Sequence, residues 1–259
     1  EEALLAELQE SGKQIIAILS TGYPMDVRWL TKYHVSAAIW CGFSGMLGGR
    51  AVVEILDGRI NPSGKLPDTW SLDYWDHPSS RNFYQPGPGE SDLCGDDFVY
   101  MDTCYEEGIY VGYRYFDTFD VPVRYGFGFG LSYTTFSISS PNVTLTGLGT
   151  ENPTLTAEVE VTNTGEQYSG KEVVQVYVSC PQQGLPKEYR RLAGFAKTKE
   201  LSPKETQKLT ISFPLYQLSS YDESSASWIL DGGNYGIWIG NSLQDAVLCA
   251  VMELDGQAV

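Results

Sequence analysis

Strict alternation of apolar and polar residues through the second half of the chain constrains the fold more than any other feature. Leu155, Ala157, Val159 and Val161 alternate with Thr156, Glu158, Glu160 and Thr162. The period recurs at Val174, Val176 and Val178, at Leu209, Ile211 and Phe213, and at Tyr235, Ile237 and Ile239. Successive side chains of a strand point to opposite faces, so each run carries one apolar face and one polar face. Turn-forming sequences separate the runs: Asn163-Thr164-Gly165, Ser202-Pro203-Lys204 and Asp231-Gly232-Gly233-Asn234. Short alternating strands at such spacing, over roughly 110 residues, predict an antiparallel β-sandwich across 136–259. Its expected core is Val159, Val161, Val174, Val176, Leu209, Ile211, Phe213, Tyr235, Ile237 and Ile239. Trp238, of opposite parity, is expected to face solvent or the preceding domain.

The first seventy residues follow a different rule. Ala3, Leu4, Leu5 and Leu8 share one helical face, and Gly12 stands where a helix would stop. Ile15–Leu19 is a continuous apolar run, the pattern of a parallel strand covered on both faces, and Val35–Trp40 is the next strand. Between them Asp26 is placed to cap a short helix carrying Trp29 and Leu30. A further helix runs through Val52, Val53, Ile55 and Leu56 to Gly58. Two βα units in succession predict the end of an α/β domain over 1–70. A complete domain needs more strands, which are expected before Glu1.

Between these halves, 71–135 is expected to be a long ordered linker and loop. The irregular pattern runs from about Asn61 to Tyr125, where prolines 62, 67, 78, 86 and 88 interrupt it and Trp70, Tyr74, Trp75, Phe83 and Tyr84 enrich it in aromatics. Loops of this length in compact proteins usually serve function or wrap a neighbouring domain.

Charge excludes one class of partner. With 33 acidic against 17 basic residues the formal charge is −16, and such a surface repels phosphate backbones, so no nucleic-acid partner is expected. No apolar run approaches the roughly 20 residues of a membrane span, so no membrane partner is expected either, and no secretory signal opens the sequence at Glu1. The five cysteines (Cys41, Cys94, Cys104, Cys180 and Cys249) include no CxxC pair. Zinc-ligand spacing is missing, and no metal or cofactor is expected. Cys41, Cys180 and Cys249 read as small core residues. Cys94 and Cys104 flank a polar loop and are placed to pair, but an odd count makes a reducing, cytoplasmic compartment the simpler reading, with an extracellular one left open.

Three glycine-rich segments then carry a family resemblance: Gly58-Arg59-Ile60-Asn61-Pro62-Ser63-Gly64-Lys65-Leu66-Pro67, Glu107-Gly108-Ile109-Tyr110-Val111-Gly112-Tyr113-Arg114-Tyr115-Phe116-Asp117, and Tyr125-Gly126-Phe127-Gly128-Phe129-Gly130-Leu131-Ser132-Tyr133-Thr134-Thr135-Phe136. In this order and spacing they resemble the C-terminal half of glycoside hydrolase family 3. The sandwich resembles that family's immunoglobulin/fibronectin type III-like domain in Val161-Thr162-Asn163-Thr164-Gly165, Leu192-Ala193-Gly194-Phe195, Gly232-Gly233-Asn234-Tyr235 and Ile239-Gly240-Asn241-Ser242. Two departures stand out. Gly45-Met46-Leu47 occupies the place where the family often has Gly-Gln-Glu, and Gly128-Phe129-Gly130 the place of a common Gly-His-Gly.

The resemblance implies a retaining β-glycosidase, most often a β-glucosidase, acting on terminal β-linked sugars of oligosaccharides or glycosides. β-Xylosidase and N-acetylglucosaminidase activities stay open, because the residues gripping the sugar lie largely on the family's barrel. Retention needs two carboxyl groups about 5–5.5 Å apart. In the resembled family the nucleophile Asp lies on a (β/α)8 barrel and the acid/base Glu on a loop upstream of this sequence. Both are therefore expected outside the chain, with the barrel as its partner, and the chain alone is expected to be inactive. The catalytic candidates within it are Glu106 and Glu107, adjacent carboxylates of the kind that suits general acid chemistry. The weak substrate-binding candidates are Trp70, Trp75 and Tyr84, whose rings suit the apolar faces of sugars. Asp96, Asp97 and Asp102 read as solvated loop charges. The competing reading is a non-catalytic carbohydrate-binding or adhesion module, which needs neither the α/β segment nor the glycine-rich exits.

Overall fold

The computed structural model describes residues 2–81, 105–150 and 152–258, and they form two units. The first takes in the described parts of Glu1–Ile60, Asp68–Glu106 and Pro122–Tyr125. The second comprises Asn61–Pro67, Glu107–Val121 and Gly126–Val259.

In the first unit α1 (Glu2–Glu10), β1 (Ile16–Leu19), α2 (Arg28–Lys32), β2 (Ala37–Trp40) and α3 (Gly48–Leu56) follow in order. β1 and β2 pair in parallel, from Ile16 opposite Ala37 to Leu19 opposite Trp40. Leu19, Val27, Leu30 and Tyr33 are buried, so the apolar stripe of α2 has the packing partners that a five-residue helix needs. Asp26 serves the start of α2 from one position further out than expected. Val27 is the N-cap and makes no side-chain cap bond, while the Asp26 carboxylate accepts from the Arg28 N–H at 2.9 Å. The apolar run of β1 is not covered on both faces, since Ile16 and Ile18 remain exposed. β3 (Trp70–Ser71) pairs antiparallel with β4 (Val123–Tyr125) in the same unit.

The second unit is the sandwich. One sheet orders β5 (Phe136–Thr146), β6 (Thr154–Asn163) and β9 (Thr206–Pro214) as β5-β6-β9. Facing it, β7 (Val173–Ser179), β8 (Arg191–Lys197), β12 (Gly233–Gly240) and β13 (Val247–Leu254) run in the order β13-β12-β7-β8. A smaller sheet holds β10 (Ser220–Asp222), β11 (Ser227–Leu230) and β14 (Gln257–Ala258). All the residues expected in the core are buried in one cluster, from Val159 and Val161 to Ile237 and Ile239. Gly194 explains how closely the sheets approach: a Cβ there would sit 2.8 Å from Cγ2 of Ile211.

Two features depart from simple alternation. β7 is buried on both faces, because Tyr177 joins Leu243 and Ala246 in a second cluster backed by Tyr113, Phe127, Leu192 and Trp238. Trp238 is therefore packed on that side and only partly exposed. The irregular stretch also contains a helix, α4 (Tyr113–Thr118), entered through Gly112 at φ 58°.

Candidate functional site

The glycine-rich segments converge within the second unit. Asn61 donates from Nδ2 to the Ser169 carbonyl at 2.9 Å. Its Oδ1 accepts from the Ser132 hydroxyl at 2.9 Å and from the Tyr133 N–H at 2.8 Å. The Leu66 N–H donates to the Phe129 carbonyl, and the Leu66 carbonyl accepts from the Gly128 N–H, both at 2.8 Å. Gly130 is required here, since a Cβ would meet the Gly64 carbonyl oxygen at 2.2 Å. Lys65 pairs with Glu172 at 2.9 Å.

The middle segment is fastened through α4. The Tyr113 hydroxyl accepts from the Leu192 N–H at 2.9 Å, and its ring lies 4.7 Å from that of Phe127. Asp117 accepts from Arg190 through Nε at 3.0 Å and through Nη2. The Arg190 guanidinium sits 5.4 Å from the Tyr189 ring and 5.1 Å from the Trp238 ring, a stacked and forked arrangement that a lysine could not reproduce. Nearby, Glu188 and Arg191 pair at 2.5 Å. Burial pushes the Glu188 carboxyl up, but the hydrogen bond and charge of Arg191 outweigh it and hold its pKa below the usual carboxylate value. Buried Lys187 donates to the carbonyls of Gln183 and Leu185 and pairs with Asp231. Each of these charges is matched by a partner, so the junction positions backbone rather than presenting reactive groups.

The sequence-derived candidates have different surroundings. Trp70 is 2% exposed, edge-on to Trp40 at 5.9 Å and to Tyr125 at 6.4 Å. Trp75 is 41% exposed, in a 3-10 turn that Asp73 and Asp76 close with a reciprocal capping box. Tyr84, like Asp96, Asp97, Asp102, Cys94 and Cys104, lies outside the described residues. Glu106 is exposed and Glu107 partly so, with the Glu107 carbonyl accepting from the Tyr110 N–H in a turn. His77 stands 3.1 Å from the Ser71 hydroxyl; burial lowers its pKa, against the charge of Asp76. Met46 is 99% exposed and Phe43 and Leu47 are exposed beside it, and Leu47, the N-cap of α3, makes no side-chain cap bond. Cys41, Cys180 and Cys249 are free thiols, of which only Cys180 is buried. Among the described residues no three His, Cys, Asp or Glu side chains form a metal site, and no helix is long and apolar enough to cross a membrane.

The sequence reading did not anticipate the Lys65–Glu172, Asp117–Arg190 and Lys187–Asp231 pairs. The available signal was a lone charge within an apolar or glycine-rich context, as at Lys65 between Gly64 and Leu66.

A parallel α/β unit and a fibronectin type III-like sandwich define the class. Residues 1–113 match the glycosyl hydrolase family 3 C-terminal domain, and residues 172–243 match the fibronectin type III-like domain. The chain is thus similar to the C-terminal region of glycosyl hydrolase family 3. It is 36% identical over 266 residues to a beta-glucosidase of Ruminococcus albus, covering 100% of this chain and 26% of that protein. The structure of beta-glucosidase 3B from Thermotoga neapolitana in complex with glucose matches with a TM-score of 0.84 and 35% identity, over 98% of this chain and 33% of that one. A beta-glucosidase from Paenibacillus barengoltzii gives a TM-score of 0.86 at 35% identity, over 98% of this chain and 28% of that one. The chain thus spans between about a quarter and a third of the length of these relatives.

Proposed function

We propose that this chain is the non-barrel part of a retaining, exo-acting β-glycosidase, a β-glucosidase by preference, which removes terminal β-linked sugars from oligosaccharides or glycosides. One observation carries the reading: similarity to beta-glucosidases extends over 98–100% of this chain but only 26–33% of theirs. A (β/α)8 barrel would supply the nucleophile Asp, and the acid/base Glu would lie on a loop outside these residues. Exposed Phe43, Met46 and Leu47 support such a partner, being apolar surface of the kind that a protein contact covers.

Of the aromatic candidates Trp75 keeps an exposed ring, and it is the one proposed to stack on the acceptor side of the glycoside. The free Cys41, Cys180 and Cys249 support a reducing, cytoplasmic setting.

The test is hydrolysis of p-nitrophenyl β-D-glucoside by the 259-residue chain and by the longer polypeptide of its source that contains it. The longer polypeptide should turn over and the chain alone should not. Turnover by the chain alone would return the catalytic role to Glu106 and Glu107. A longer polypeptide inert on every β-glycoside offered would overturn the reading. In an active longer enzyme, Trp75→Ala should raise KM for cellobiose several-fold with little change in stability, whereas Trp70→Ala should cost about 3–5 kcal/mol of folding stability.

A further inference from the structure

An aromatic surface of the sandwich takes no part in the junction or the core. Tyr221 on β10 and Trp228 on β11 are directly paired across the two strands, so both rings project from one face of the hairpin. Their centroids are 5.3 Å apart with planes inclined by 61°. Tyr216, on the short 3-10 turn before β10, brings its ring to 5.2 Å from Trp228 at 63°. The three residues are 45% (Tyr216), 48% (Tyr221) and 38% (Trp228) exposed.

We propose that Tyr216, Tyr221 and Trp228 form a binding platform for a neutral, soluble β-glucan chain. The choice of a β-linked glucan rests on the proposed function; the platform itself rests on the rings. Size favours a sugar over a protein. Rings of this kind carry about 150–250 Å² each, so at these exposures the patch offers roughly 300 Å². That is well short of the roughly 800 Å² per partner that a stable protein interface buries. Composition agrees, for no aliphatic side chain larger than alanine is exposed between residues 215 and 230; the exposed neighbours are Gln217, Glu223, Ser224, Ser225 and Ala226. Gln217, Glu223 and the serines offer hydrogen-bonding groups of the kind that sugar hydroxyls use. The chain's −16 charge disfavours an anionic polysaccharide. Rings inclined by about 60° match a twisted single chain rather than the flat face of crystalline cellulose.

Affinity electrophoresis of the 259-residue chain in native gels tests this. Barley mixed-linkage β-glucan in the gel should retard the chain and glycogen should not. Trp228→Ala should abolish the retardation, Tyr221→Ala should reduce it several-fold, and Tyr221→Phe should preserve it. Denaturant melts of each variant establish that the loss is not one of folding. Failure of β-glucan to retard the chain, or full retardation of a folded Trp228→Ala variant, overturns the platform. So does a dimer in sedimentation that Trp228→Ala dissolves, which would assign the face to a second copy. Retardation is read without turnover, so it succeeds or fails independently of hydrolysis by the longer enzyme.

Discussion

Lys65 and Glu172 form a 2.9 Å ion pair whose side chains are only 12% and 7% exposed. The same carboxylate accepts from the Val173 N–H at 2.8 Å and from Asn241 Nδ2 at 3.0 Å. One buried charge therefore fastens the first glycine-rich segment to the start of β7 and to the turn after β12. Removing one partner leaves the other charged and poorly solvated, which is the costly way to break such a pair. Lys65→Met should destabilise the second unit by about 3 kcal/mol. Adding Glu172→Gln removes the stranded charge but keeps an acceptor, so the double variant should recover at least half of that loss. Guanidinium melts decide it, and a double variant less stable than Lys65→Met would show that the pair is not what matters.

Asn163 is fully buried with its amide capacity fully used. Nδ2 donates to the carbonyls of Tyr168 and Leu201, each at 2.9 Å. Oδ1 accepts from the Thr134 hydroxyl at 2.6 Å and from the Gly165 N–H at 3.1 Å. Truncation removes four hydrogen bonds, three to partly buried residues and one to buried Leu201, so Asn163→Ala should cost about 2–4 kcal/mol. Asn163→Asp keeps the shape but sets a carboxylate against two carbonyl oxygens. At neutral pH it should be at least as damaging. Relative to wild type it should recover on acidification, when a protonated carboxyl can again donate. Melting temperatures of both variants across pH are the measurement.

The sandwich was legible in the sequence because a period of two is a direct imprint of pleated strands, and Val159, Val161, Ile237 and Ile239 needed no further information to be placed in the core. β7 was only half legible. Alternation assigns one inward face, yet Gln175 and Tyr177 are buried as well, by residues such as Tyr113 and Phe127 that lie far away in sequence. α4 was missed because Gly108 and Gly112 precede it and its six residues carry no helical period that could be read. Local pattern also gave no account of Asn61 or Lys65, whose partners are distant in the chain: Ser132 and Ser169 for one, Glu172 for the other.

Glu188 gives the second unit a definable acid sensitivity. Burial opposes its charge, but Arg191 holds the carboxyl below its ordinary pKa, and Arg191 also donates to the carbonyls of Gln217 and Ser219 at 2.9 Å. The folded value thus lies beneath the unfolded value of about 4.3. As pH falls, the unfolded chain takes up the proton first. The pair's contribution is complete above about 4.3 and is lost as pH drops through the folded value. Wild type should be more stable than Glu188→Gln at neutral pH, and the gap should close steadily below about pH 4. A gap that is constant with pH would mean that Arg191 does not depress this carboxyl.

Ile237 and Trp238 are neighbours on β12 that face opposite ways, and their replacement separates the two faces of the central sheet. Ile237 is fully buried in the main core. Ile237→Ala should cost about 2–5 kcal/mol, by lost burial and by the cavity left behind. Trp238 is only partly buried, but it is not a bystander. Its Nε1 donates to the Ser179 hydroxyl at 3.0 Å, and its ring meets Arg190 and Tyr189. Part of that ring is already in water, so Trp238→Ala should cost less, about 1–3 kcal/mol. The loss should shrink further when Arg190 is replaced first, because the stacked guanidinium is then gone. Ile237→Ala should be indifferent to the Arg190 background. Denaturation of the three single and two double variants settles the point, and coupling between Arg190 and Ile237 as strong as that between Arg190 and Trp238 would mean that the two faces do not act separately.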